Sequence, residues 1–280
     1  MIKIKEYIIQ IFNFKWFLKL ERKTRIEISV GTVGVLFACI VLIYSLNKKV
    51  NDLPAILKSG RITVLTEGSS IGFSKKDGNV SGFQYELVKA FADSLGVELV
   101  ISDDNDLRNG IEALKTGDYD IVAMLVPITT EWKKEVTFSS PILISRPMLV
   151  QLSKSDSLQT KSIKKHYQLN NDTIYIAGNS PYKMRLLHLS DEIAGSIHIE
   201  EMKGLNTELM VKLVAEGKIK NTICDELLAL KLKKEFPNLE VSVPVGFEQK
   251  HAWILNTKSK KLHEKLDEFL SDFIGTTAYW

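Results

Sequence analysis

The side chains best suited to chemistry fall in three short segments: "VPITTEWKKEVTFSSP" (Val126–Pro141), "AGNSPY" (Ala177–Tyr182) and "ICDELL" (Ile223–Leu228). Each carries an apolar run into a polar helix start. In the second, Gly178, Asn179 and Ser180 stand at a strand-to-helix junction, and Pro181 takes a favoured first-turn position. Backbone N–H groups at such a junction can receive a carboxylate, or the polar side chains there can simply cap the helix. In the third, Asp225 ends a strand and opens a helix, so its carboxylate either caps or faces a ligand. In the first, Thr129 or Thr130 can cap a short helix. Trp132 sits among charges, where its broad face either stacks on a sugar or apolar group or packs into the core. The histidines His166, His188, His198, His251 and His263 lack metal-ligand spacing, so no metal and no cofactor is expected. Neither a Gly-x-Ser-x-Gly elbow nor a phosphate-binding loop occurs.

The elements that must position these residues alternate. "RITVLTE", "VELVIS" and "DYDIVAMLV" read as strands, with helices "GFQYELVKAFADSLG" and "DLRNGIEALKTG" between them. The second half repeats the plan with "TIYIAG", "SIHIEE", "NTELMVKLVAEG" and "KIKNTICDE". Gly117 and Gly217 each close a helix and open a strand at equivalent places. A last helix carries Leu262, Leu266, Phe269, Leu270, Phe273 and Ile274 on one stripe. The pattern predicts two similar α/β lobes.

Charge is unevenly placed. The net charge is +3, but residues 1–25 hold seven basic and two acidic side chains, a local +5 that leaves −2 for the remainder. A slightly acidic body gives no support for nucleic-acid binding. Ile28–Leu46 is a run of nineteen residues without a charge, close to the ~20 that a bilayer core requires. Basic flanks heavier on its N-terminal side predict a single-pass helix over 26–46, a cytoplasmic segment over 1–25, and an exported body after a polar tether at 47–59. "LFAC" offers a lipidation hook at Cys39, but apolar residues continue past it. Cys39 and Cys224 are not placed to pair, so the body must rely on its core.

"GNVSGFQYELVKAFADSLGVEL", "ITTEWKKEVTFSSP" and "ICDELLALKLKKEFP" resemble the family 3 periplasmic solute-binding proteins. "LMVKLVAEGKIKNTICDELLALKLKKEFPNLEVSV" and "EQKHAWIL" further resemble the ligand-binding region of membrane-bound lytic murein transglycosylases of the F type. The resemblance implies a type II periplasmic-binding-protein fold over 60–275, with lobe 1 at about 60–145 and 250–275 and lobe 2 at about 148–245. It implies crossings near Ser145–Gln151 and Val243–Gln249, a cleft between the lobes, and closure by a hinge. It places Ser69, Ser70 and Phe73 on a loop bordering the cleft, and matches Asp225 to the acid that holds a ligand amino group. Gln84 stands where the family often has Asp and is expected to serve the fold. The family's carboxylate clamp is replaced: Leu125, Pro127 and Trp132 stand where a Gly, a Thr and an Arg would be. The resemblance implies a small-molecule or peptide ligand and a cell-wall enzyme or transporter as partner, in the bacterial inner membrane with the C-terminal body in the periplasm. The expected role is a non-catalytic sensor or regulator of cell-wall-derived peptide or muropeptide. The alternatives are a transglycosylase lacking its catalytic module, whose Glu-Ser motif is absent here, and an amino-acid receptor of an ABC transporter.

Overall fold

The computed structural model describes residues 50–76, 78–153 and 162–275. The basic segment, the apolar run and Cys39 lie outside them; among the described residues no helix is long and apolar enough to cross a membrane. The first part of the chain forms α1 (Leu53–Ser59), β1 (Arg61–Thr66), a hairpin of β2 (Ser74–Lys76) and β3 (Asn79–Ser81), α2 (Phe83–Leu95), β4 (Glu98–Asp103), α3 (Leu107–Thr116), β5 (Ile121–Pro127), β6 (Thr137–Phe138) and β7 (Leu143–Ser145). The second part forms β8 (Pro147–Leu152), β9 (Thr173–Ala177), α4 (Tyr182–Glu192), β10 (His198–Met202), α5 (Thr207–Ala215), β11 (Asn221–Asp225), α6 (Glu226–Glu235) and β12 (Leu239–Pro244). The chain then returns through β13 (Gln249–Leu255) and ends in α7 (Lys260–Phe273).

Two sheets result. In lobe 1 the order is β4-β1-β5-β13-β6, with β7 also on β13; in lobe 2 it is β10-β9-β11-β8-β12. Each sheet has three parallel strands joined through helices, then one antiparallel strand delivered by a crossing. That strand is β13 beside β5 in lobe 1 and β8 beside β11 in lobe 2. Gln249 pairs with Ser145 in the first sheet and Pro244 with Met148 in the second, so both crossings lie between these pairs. Apolar side chains cover both faces of each sheet. Phe91, Trp253, Leu262 and Leu266 lie on one face of the first sheet and Ile111, Leu114 and Val122 on the other. Burying each such side chain stabilises the fold by roughly 1.5–3 kcal/mol.

The two lobes share local detail at positions one hundred apart. Gly117 and Gly217 both adopt left-handed backbone, with φ of 76° and 70°. The N–H groups of Asp118 and Tyr119 bond to Ala113 O, and those of Lys218 and Ile219 bond to Leu213 O, at matching distances of 2.8 or 2.9 Å and 3.4 Å. The helices these glycines end are capped by Asp106 and Asn206, whose Oδ1 atoms accept from Arg108 N at 2.9 Å and Leu209 N at 2.8 Å.

The expected tether is partly helix. Residues 53–59 form α1 because Asp52 caps it through the Leu53 N–H at 2.9 Å and Pro54 falls in the first turn, where a missing N–H is harmless. The Asp52 carboxylate also accepts the Leu262 N–H at 2.8 Å, closing the first turn of α7, and Ile56 is buried in the lobe 1 core.

Candidate functional site

In open α/β sheets, ligand clefts lie beyond the carboxyl ends of the parallel strands. Here the ends of β1, β5, β9 and β11 converge on one cavity of about 100 Å³ between the lobes. Lobe 1 lines it with Glu67 and Ile71 after β1, Asn105 and Leu107 at the start of α3, Met124, Leu125 and Val126 on β5, and His251 on β13. Lobe 2 lines it with Ala177 to Tyr182, Asn206 and Thr207, Asp225 and Leu228. A second chamber of about 390 Å³ adjoins it, walled by Asp103, Asp104, Asp106, Lys203 and Leu205, and shares Asn105, Gly178 and Asn179 with the first.

The lobes are bridged on both sides of this cavity. Asp106 Oδ2 accepts from Asn179 Nδ2 at 2.6 Å, and Asn206 Nδ2 donates to the Gly68 carbonyl. Each helix-capping residue thus uses one side-chain atom for its own helix and the other to hold the opposite lobe. Ser70 strengthens the second bridge: its N–H donates to Glu208 Oε2 at 2.8 Å and its Oγ accepts from Lys231 Nζ at 3.0 Å. Ile71 packs into the lobe 2 core.

The loop after β1 is folded tightly on itself. Ser69 Oγ accepts the N–H groups of Ile71 and Gly72, at 3.3 and 2.8 Å, and its hydroxyl bonds the Glu67 carboxylate. A Cβ on Gly72 would fall 2.1 Å from Glu67 O and 2.5 Å from Glu67 Cγ, so this position requires glycine. Burial pushes the Glu67 carboxyl above its ordinary range; the Ser69 hydrogen bond opposes this, and the nearby Glu208 and Asp225 charges add to it. Glu67 is half-buried and lines the cavity.

Asp225 divides its carboxylate. Oδ1 caps α6, accepting Leu227 N at 2.9 Å and Leu228 N at 3.3 Å; Oδ2 is buried and has no partner among the described residues. Burial lifts the Tyr182 hydroxyl well above its ordinary range, and the charge of Asp225 adds to this. Burial holds the His251 imidazole below its ordinary range, against the pull of Asp225. His251 Nδ1 lies 3.1 Å from the Gln249 carbonyl, which can only accept. That contact assigns the proton to Nδ1 and leaves Nε2 an acceptor.

Of the residues singled out from sequence, Asn179, Ser180 and Asp225 line the cavity, as does Leu125 at the former clamp. Ser69 and Ser70 stand one layer back, shaping the loop and bridging the lobes. Phe73 meets the Tyr85 ring edge-on at 5.8 Å. Thr129 Oγ1 accepts the Trp132 N–H at 3.3 Å and starts a single 3-10 turn, Trp132–Lys134, where a short helix was expected; Thr130 is exposed. Trp132 packs against the cluster of Ile111 and Leu114, and the Arg108 guanidinium lies 4.8 Å above its ring. Packing, with one cation above the ring, therefore accounts for this aromatic. Gln84 Oε1 accepts the buried Trp253 indole N–H at 2.5 Å, tying α2 to β13. Free N–H groups expected at the "AGNSPY" junction are engaged: Gly178 N with Met202 O, Asn179 N with Glu201 Oε2 and Ser180 N with Ala177 O, at 3.0, 3.0 and 3.2 Å. Sequence reasoning missed Glu67, Tyr182 and His251. Glu67 follows β1, His251 lies near the start of β13, and Tyr182 opens α4 in the other lobe. Among the described residues no group of His, Cys, Asp and Glu could hold a metal ion.

Residues 62–279 match the bacterial extracellular solute-binding proteins, family 3. The chain is 28% identical over 235 residues to membrane-bound lytic murein transglycosylase F of Desulfosudis oleivorans, covering 82% of this chain and 49% of that one. It is 27% identical over 246 residues to the protein of the same name from Alcanivorax borkumensis, covering 87% and 51%. The chain therefore spans about half the length of the curated relatives it matches. Among solved structures it resembles an ancestral arginine-binding protein bound to arginine, with a TM-score of 0.66, 22% identity and coverage of 79% and 95%. It also resembles the amino acid ABC transporter substrate-binding protein AbpA of Streptococcus pneumoniae bound to L-arginine, with a TM-score of 0.68, 21% identity and coverage of 81% and 94%. With the match over most of its length and the two-lobed α/β fold in place, the chain belongs to the bacterial extracellular solute-binding proteins of family 3.

Proposed function

We propose that the chain is a membrane-tethered, non-catalytic solute-binding protein of the bacterial inner membrane, with its body in the periplasm. It acts as a sensor or regulator that takes up a cell-wall-derived peptide or muropeptide and passes closure of its lobes to a cell-wall enzyme or transporter. The observation that carries a binding role is Asp225, a residue of the cavity wall whose buried Oδ2 has no partner among the described residues. A buried carboxylate oxygen left unbonded is costly, and a ligand N–H donor removes that cost. The likeness to the transglycosylases supports a wall-derived ligand, and the apolar Leu125 and Pro127 argue against an amino-acid receptor built on the usual clamp. A second reading is the binding half of a longer transglycosylase, favoured by the half-length coverage of the relatives.

The test is a thermal-shift series on the full chain in detergent, with wall peptides, muropeptides and free amino acids. A ligand that binds only the folded state raises the melting temperature by mass action. Wall-derived ligands are expected to do so, with the response abolished in Asp225→Asn. If no compound of the three classes shifts the melting temperature, the binding role is wrong.

A further inference from the structure

The cavity is one-sided in charge. Glu67 and Asp225 line it, with Glu208 close behind, and none of its described lining residues is Lys or Arg. Recognition of a carboxylate needs a guanidinium, an ammonium or free N–H groups. The N–H groups of the loops after β1 and β9 are already used. In lobe 1, Ser69 and Phe73 donate to Glu67 O, Ser70 to Glu208, and Ile71 and Gly72 to Ser69 Oγ. In lobe 2, Asn179 donates to the carboxylate of Glu201, which Lys183 also holds, so an internal anion occupies that junction. Tyr182 N donates to Ser180 Oγ at 3.3 Å, and Pro181 has no N–H. Acceptors on the cavity wall include Asp225, the Glu67 carboxyl and His251 Nε2.

We propose that this cleft selects an organic amine whose neighbouring carboxyl is absent or locked in an amide, and rejects the free α-amino acid. The amine sits between Asp225 and Glu67, the walls of Met124, Leu125 and Leu228 take its apolar part, and the rest passes the neck at Asn179 into the outer chamber. This rests on the reading of the cavity as a solute site and names the ligand class for it. A cation also relieves the charge crowding that Glu67 shares with Asp225 and Glu208. Tyr182 and His251 face the same space, while Lys212 is committed to Glu208 and Lys231 to Ser70. An ammonium beside Glu67 favours its ionised form.

The experiment is calorimetry on the full chain in detergent with three matched series: the α-amides of alanine, valine, leucine and lysine, the corresponding free amino acids, and the corresponding N-acetyl amides. At least one amide is expected to bind tenfold or more tightly than its free acid, and the N-acetyl amides are expected not to bind. Asp225→Asn and Glu67→Gln should each weaken amide binding at least tenfold. Their melting temperatures check folding, since Asn still caps α6 and Gln still reaches Ser69. Heats measured near pH 5.5 in buffers of different ionisation enthalpy should report proton release, which Glu67→Gln abolishes. Free acids binding as tightly as their amides would overturn the amine proposal and leave the solute-binding role standing. Silence from all three series overturns the proposal, and silence from wall peptides and muropeptides as well overturns the binding role with it.

Discussion

Single residues here carry two roles at once, and the two can be separated. Asp225 caps with one oxygen and keeps the other buried without a partner among the described residues, so Asp225→Ala should cost about 1 kcal/mol of stability through the lost cap, whereas Asp225→Asn should cost much less. Trp132 is bound up with lobe 1 packing, not with the cavity lining. Trp132→Ala is expected to destabilise the fold by roughly 2 kcal/mol, below the 3–5 kcal/mol typical of fully buried aromatics because the ring is half-exposed. The same variant should leave ligand affinity unchanged, and a melting curve beside a titration reads both. Glu67 supplies a pH signature. Its folded-state pKa lies above the unfolded one, so the folded form binds more protons between the two values and stability falls as pH rises through that window. Glu67→Gln should therefore melt higher than the parent at pH 7.5 and equally at pH 4. A parent-minus-variant difference that does not change between these pH values would refute the assignment.

At the scale of elements, the alternation of strands and helices was legible because each buried strand and each amphipathic helix is bounded by its own glycine or cap. The hundred-residue echo between Gly117 and Gly217 was legible for the same local reason: both positions need left-handed backbone to end a helix. Residues 53–59 were not, since seven residues are too few for a periodic pattern and the cap at Asp52 is shared with a helix two hundred positions away. The candidate site was half legible. Asp225, Asn179 and Ser180 belong to compact strand-to-helix motifs, while Glu67 and His251 meet only because β1, β5 and β13 lie side by side. No spacing in the chain encodes that adjacency. The reciprocal use of Asp106 and Asn206 was equally hidden, because a capping side chain looks the same whether or not its second atom holds another lobe. Pairing Asn206→Asp with Asn179→Ala keeps both caps as acceptors but removes the donors to Gly68 O and Asp106. Each bridge is worth about 0.5–1.5 kcal/mol net. The double variant should show a larger radius of gyration in small-angle X-ray scattering while its melting temperature stays close to the parent's. An unchanged scattering profile would mean these bridges do not govern closure.

Over the whole molecule, the uneven charge is what supports the proposed orientation. The first 25 residues carry +5 and the remainder −2, with the nineteen-residue uncharged run between them. Positive charge stays on the cytoplasmic side of such a run, and an acidic body has no electrostatic reason to stay with nucleic acid or anionic lipid. The family match begins at residue 62, only sixteen positions after that run ends at Leu46, and α1 already belongs to the lobe 1 core by Leu53. On the proposed tethering, the protein would act on neighbours in its own membrane and would not travel through the periplasm as a free receptor does. The full chain should fractionate with the inner membrane, and protease added to spheroplasts should remove the body while sparing the first 25 residues. If the body is digested only after the inner membrane is broken, the orientation is reversed, and a periplasmic wall-derived ligand becomes untenable.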